Sequence, residues 1–163
     1  MLSSTLLLIL STLTLTPTSH SAALAPRECY ISGERWDTHS GDRDVRGDAN
    51  EALEDLCVPS KLSGVYTPGQ TKTACVHLTY LKCAEFSITL HGDIWPRNFT
   101  MPDEHCKRGL RTEIYGCDRG GHKEHHNSNP VDVSPTWTLR ADPGEGACQK
   151  SPSGEDTVCR TVY

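Results

Sequence analysis

Two cysteines eleven residues apart, Cys106 and Cys117, constrain this chain more than any other feature. Between them, Cys106, Leu110, Glu113, Ile114 and Cys117 recur at steps of three and four, which predicts a helix with the cysteines, Leu110 and Ile114 on one core-facing stripe. Gly116 and the Gly120-Gly121 pair punctuate its end. On a continuous helix the two cysteines lie about 20° apart around the axis but roughly 16 Å apart along it, too far to bond each other. Each must therefore staple the helix to a different part of the protein, so this segment is the expected structural hub.

Residues 1–23 open with a Leu/Thr/Ser-rich apolar run and end in Ser21-Ala22-Ala23, the layout of a cleaved secretory signal peptide. Thr, Ser and Pro interrupt the run before it reaches the ~20 apolar residues needed to span a bilayer, so no membrane anchor is expected after cleavage. Residues 24–163, about 140 in number, suit one domain with its own core. In a secreted chain the eight cysteines Cys29, Cys57, Cys75, Cys83, Cys106, Cys117, Cys148 and Cys159 read as up to four disulfides. Without a close Cys-x-x-Cys pair they do not read as a zinc site, and no cofactor is expected. The formal charge of -5 argues against a sequence-independent electrostatic hold on nucleic acid or anionic membrane. Asn98-Phe99-Thr100 is the one N-glycosylation sequon, expected on a surface loop.

Ala49, Ala52, Leu53, Leu56 and Cys57 predict a first helix, with Asp48 as its N-cap and Glu51 three residues on. The runs Thr71 to Tyr80 and Cys83 to Leu90 alternate apolar and polar residues with period two, the pattern of half-buried strands. Only Leu81 and Lys82 separate them, so an antiparallel hairpin is expected. Thr100 is the expected cap of the hub helix and Pro102 a first-turn residue. Gly120 to Pro135 reads as an exposed polar loop, Thr136 to Ala141 as a short strand, and Asp142 to Gly146 as a turn. Two helices and several alternating strands give an α+β domain with an antiparallel sheet.

His122-Lys-Glu-His125-His126 lacks the His-Glu-x-x-His order that sets two ligands one helical turn apart, and reads as a solvated loop rather than a metal site. His77, Glu85, His91 and Glu113 could supply acid and base groups, but no spacing singles out a pair, and no nucleophile elbow or phosphate-cradling loop is present. No enzymatic site is expected. Trp36 and Trp137 are expected to pack, whereas Trp95, between Ile94 and Pro96 in a loop, is the aromatic best placed to stack on a sugar ring.

An ordered set of motifs runs through nearly all of the mature chain: Cys29-Tyr30-x-Ser32-Gly33-Glu34-x-Trp36, the Ala-rich helix ending at Cys57, Gly64-x-Tyr66, Gly69-Gln70-Thr71-Lys72-x-x-Cys75, Glu113-Ile114-x-Gly116-Cys117-x-x-Gly120-Gly121, Trp137, and Ala141-Asp142-Pro143-x-x-Gly146-x-Cys148. In this it resembles the secreted fungal Y-three-like domain, whose founding member is a mushroom glycan-binding protein. The resemblance implies a single α/β/α-sandwich domain, dimerisation through sheet edges, and lectin activity toward N-acetylgalactosamine-containing glycans. It carries no individual sugar ligand onto this chain, and a scaffold does not fix a function. A secreted effector or toxin-like protein that binds a host protein, and a small secreted hydrolase, are the alternatives. Cys83 and Cys159 fall outside the shared motifs, so they are expected to pair with each other. The other six cysteines then allow 15 connectivities, or 12 without a Cys106–Cys117 bond.

Overall fold

A computed structural model describes residues 28–36, 45–79, 81–92, 97–125, 135–150 and 157–160. The expected leader at 1–23 and Trp95 lie outside the described residues, as does His126. The elements in chain order are β1 (Glu28–Cys29), α1 (Val45–Leu56), β2 (Gly64–Tyr66), β3 (Thr71–Thr79), β4 (Lys82–Leu90), β5 (Phe99–Met101), α2 (Asp103–Gly116), β6 (Gly121–His125), β7 (Trp137–Glu145), β8 (Ala147–Lys150) and β9 (Thr157–Arg160). Five strands form one antiparallel sheet in the order β1-β6-β7-β4-β3, with β2-β5 and β8-β9 as separate two-stranded sheets. No described helix is long and apolar enough to cross a membrane.

Period two decides what each face of the large sheet does. Ala74, Phe86 and Ala141 are register partners, as are Ile88 and Leu139, and Leu90 and Trp137. All seven are buried, and α1 and α2 cover them. The helices contribute stripes of matching spacing, Val45, Ala49, Leu53 and Leu56 from α1 and Cys106, Gly109, Leu110, Glu113 and Ile114 from α2. Trp36 at 1% exposure and Tyr66 at 0% complete the same core, and Tyr66 meets Trp137 edge to face with ring centroids 5.1 Å apart. Glycine inside a helix normally costs about 1 kcal/mol against alanine. Here a β-carbon on Gly109 would sit 2.3 Å from Leu139 Cδ2, so the bare backbone is what lets α2 approach β7.

The fold is α+β, antiparallel and stapled by disulfides. Within that class both described helices share one face of the sheet, and the β8-β9 hairpin lies toward the other, tied there by Cys75–Cys148 and Cys83–Cys159. That second face is lined by Thr, Ser, Glu, Arg and Asp and offers no apolar stripe to a helix.

The four bonds are Cys29–Cys117, Cys57–Cys106, Cys75–Cys148 and Cys83–Cys159, and the described residues include no free cysteine. Four disulfides place folding in an oxidising, extracellular-type compartment. Cys83 and Cys159 pair as expected, and the two hub cysteines take different partners. Cys106, inside α2, holds α1 through Cys57, and Cys117, in extended backbone just past the helix, holds β1 through Cys29. Non-reducing peptide mapping should return these four pairs, and linkage of Cys83 to any cysteine but Cys159 would contradict the fold.

Several boundaries differ from the sequence expectation. α1 starts at Val45 rather than at the Asp48 cap, because Val45 is buried one turn before Ala49 and extends the stripe. Thr100 does not cap α2 but pairs with Val65 in β5, while Pro102 stands at the N-cap with no side-chain capping bond. Its carbonyl instead accepts the amides of both His105 and Cys106 at 3.0 Å. Gly121 to His125 is a strand rather than part of an exposed loop. β7 runs through the expected turn as far as Glu145. Pro143 is tolerated there because β6 pairs with β7 only as far as Ala141, so the missing amide removes no bond to β6.

Candidate functional site

Opposite the helices, the register sets polar side chains in rows across the sheet. One row runs Thr71, Thr89, Thr138, Glu124, a second Thr73, Ser87, Arg140, His122, Glu28, and a third Cys75, Glu85, Asp142. Residues opposite one another across antiparallel strands point to the same side at about 5 Å spacing, so these rows form a continuous polar surface. Thr71 and Thr89 share a hydrogen bond of 2.8 Å, and His91 meets Thr138 Oγ1 at 2.6 Å.

The chemistry concentrates where β1, β6 and β7 meet. The amide of Tyr30 donates to the Gly120 carbonyl at 3.1 Å, which seats the Tyr30 ring beside the sheet. The Arg140 guanidinium lies over that ring at 5.5 Å from its centroid and donates to the Asp142 carboxylate. His122 completes the group, its ring 6.0 Å from Tyr30 and its Nε2 3.2 Å from Glu28 Oε2. A cation stacked within ~6 Å of an aromatic face is attracted by the ring quadrupole, so Tyr30 and Arg140 orient each other. Burial pushes the Tyr30 phenol up against the opposing pull of Arg140, leaving it protonated and able to donate. At Arg140 burial acts downward, but the Asp142 hydrogen bond and the nearby negative charges outweigh it, so its pKa is raised and the guanidinium keeps its charge. Arg140 at 42% and Asp142 at 27% side-chain exposure are both reachable from solvent.

The hairpin bounds this surface at its lower end. The Cys159 amide donates to Glu85 Oε1 at 2.6 Å, and a β-carbon on Gly144 would stand 2.8 Å from Cys159 Cβ, so Gly144 makes room for the Cys83–Cys159 bridge. Cys75, Cys83 and Cys159 bring their sulfurs within 4.8 Å of one another, but each is committed to a disulfide and offers no thiolate to a metal.

The residues considered for acid/base work do not assemble into one site. Glu113 is fully buried on α2 at the helix-covered side, while Glu85 and His77 lie on the polar face and His91 lies past the end of β4. His122 belongs to the polar surface through β6, which the composition of its segment had masked. Asn98, in the sequon, is exposed. Tyr30, Arg140 and Asp142 were missed as a group. The one sequence signal was period two through Thr138, Arg140 and Asp142, which marks a shared face of β7. No family model, curated protein or solved structure matches this chain.

Proposed function

We propose that this is a secreted carbohydrate-binding protein, without enzymatic activity, whose site is the polar sheet face around Tyr30, Arg140, Asp142 and His122. The observation that carries the reading is the mix of groups on that face: a fixed carboxylate able to accept from hydroxyl groups, a guanidinium able to donate to them, an aromatic ring with a protonated phenol, and flanking rows of Thr and Ser. A polyhydroxylated ligand needs donors and acceptors interleaved on a shallow surface, and an aromatic edge for its C–H groups. The resemblance noted above motivates N-acetylgalactosamine-containing glycans as the ligand class.

Each sugar hydrogen bond exchanges for one with water and nets only about 1 kcal/mol, so a single site is weak. β3, nine residues long, has no described strand on its outer side, so its edge is open to the strand pairing that would make a homodimer. Two sites on one rigid body gain avidity for a multivalent glycan.

The test is a glycan array followed by titration of the strongest neutral hit. Arg140→Ala is expected to weaken binding about tenfold or more, because it removes a charged donor and frees the ring it orients. Trp95→Ala belongs in the same titration as the proposed stacking residue. Near-UV circular dichroism should show each variant folded. An array without hits would remove the carbohydrate reading, and full binding by Arg140→Ala would remove this choice of site.

A further inference from the structure

The sequon Asn98-Phe99-Thr100 leads into the β2-β5 ribbon, and the core beneath the ribbon sets its orientation. Exposure alternates along this stretch: Asn98 and Thr100 are exposed, Phe99 is half-buried against the core, and Met101 is buried. Across the ribbon Tyr66 is buried opposite Phe99, while Val65, opposite Thr100, is 58% exposed. Successive side chains of a strand point to opposite sides, so Asn98, Thr100 and Val65 share the outward face. Phe99, the middle residue of the sequon, is the anchor that turns its neighbours outward, and the Arg97 guanidinium lies 5.2 Å from its ring centroid. At the other end of the ribbon Ser63 Oγ donates to Asp103 Oδ1 at 2.5 Å. Tyr66 packs on Trp137 among the side chains of the helix-covered side, so the large sheet stands between this ribbon and the polar face.

We propose that Asn98 carries an N-linked glycan and that the first N-acetylglucosamine of this glycan lies over Val65. In the transfer, Asn98 Nδ2 attacks C1 of an N-acetylglucosamine borne by a polyisoprenoid diphosphate. The new C1–Nδ2 bond replaces the bond from C1 to the diphosphate oxygen, the diphosphate leaves with the electron pair, and the amide gives up one proton. In a eukaryotic cell the oxidising compartment that forms disulfides is also where this transfer takes place. The hydroxyl two residues on belongs to the motif that is read, and strand alternation sets Thr100 on the same side as Asn98, with both residues exposed. Continuing the register by one residue makes Val65 the diagonal neighbour of Asn98, and such neighbours stand about 7–8 Å apart. A sugar ring carried beyond the asparagine amide spans that distance. Its C–H groups and N-acetyl methyl then cover the valine methyls and take apolar surface out of water. Two paired strands of three residues each are marginal on their own, so cover at Val65 stabilises the ribbon where its ladder holds least. The inference stands apart from the carbohydrate reading, because the glycan and the polar face lie on opposite sides of the large sheet.

The experiment expresses the full chain, with its own N-terminal segment, in a eukaryotic secretory host and measures the intact mass of the protein from cells and medium together. Wild type is expected to carry hexose and N-acetylhexosamine mass that peptide N-glycosidase removes, whereas Asn98→Gln and Thr100→Ala have the mass of the bare chain. Breaking the sequon at two different residues keeps the result readable if one variant folds poorly. A wild-type chain without the added mass would overturn the site. The seating on Val65 is read from a cycle of melting temperatures. Removing the glycan by Asn98→Gln is expected to lower Tm by about 2–4 °C in the otherwise unchanged chain. In Val65→Thr, which keeps the β-branched shape but exchanges an apolar methyl for a hydroxyl, the loss should be about half that or less. An equal loss in both backgrounds, or no loss in either, would overturn the seating while leaving Asn98 as the modified residue.

Discussion

Gly120→Ala is expected to destabilise the fold by about 3–5 kcal/mol, at the upper end of what single substitutions do. Gly120 has φ near +72°, in the left-handed region, where any L side chain costs roughly 1–2 kcal/mol. The larger part is steric. An added β-carbon would lie 2.3 Å from the Ala141 carbonyl oxygen, 2.8 Å from Pro143 Cδ and 3.0 Å from Asp142 Cα, and two of these three are backbone atoms in the centre of β7 that cannot rotate away. Relief requires β6 to move off β7 where the two strands first meet, which also displaces the carbonyl that holds the Tyr30 amide. The substitution should therefore weaken both stability and the candidate site. Gly69→Ala is the matched control: its φ is +80°, yet nothing lies within 4 Å of the added carbon, so only the conformational cost applies. Urea unfolding of the two variants separates the contributions. Equal destabilisation at both positions would show that the contact with β7 costs nothing.

Cys57→Ala/Cys106→Ala should lower stability by about 4 kcal/mol from chain entropy alone, given a closed loop of 49 residues, with a further cost for the cavity left by two sulfurs. Both cysteines are fully buried, and the bond joins the last turn of α1 region to the first turns of α2 at the middle of the one core. The melting temperature of a domain this size should fall by roughly 10–15 °C. Removing Cys83–Cys159 instead loosens β9 while Cys75–Cys148 still holds β8 to the polar face and already closes most of the same loop, and it leaves the packing between the helices in place, so it should cost less in thermal stability while loosening the lower boundary of the candidate site. Differential scanning calorimetry of both double variants checks the order, and a smaller loss for the Cys57/Cys106 variant would show that the bond between the helices is not the principal staple.

Residue periodicity marks the elements that bury apolar side chains. β3 and β4 announce themselves because Ala74, Phe86 and Ile88 alternate with Thr73, Ser87 and Thr89, and burying one face forces period two. α2 is legible for the same reason at steps of three and four, and its two cysteines could be assigned to different partners from helix geometry alone. β6 carried no such signal. Gly121-His122-Lys123-Glu124-His125 has no apolar alternation and is a strand because β7 supplies its hydrogen-bonding partners on one side and β1 on the other.

The sequence alone therefore determined the α+β class, the helix-facing core and the disulfide-dense character, since each follows from local periodicity or cysteine count, whereas the Cys83–Cys159 pair was an expectation of the resemblance. Tertiary structure alone decided the other three bonds, the placement of both helices on one face, and the meeting of Tyr30, His122 and Arg140. Those depend on which strands lie side by side. Tyr30 and Arg140 are far apart along the chain, and only the order β1-β6-β7 and its register bring a ring under a guanidinium, because pairing distance is a property of the folded sheet and not of any stretch of residues.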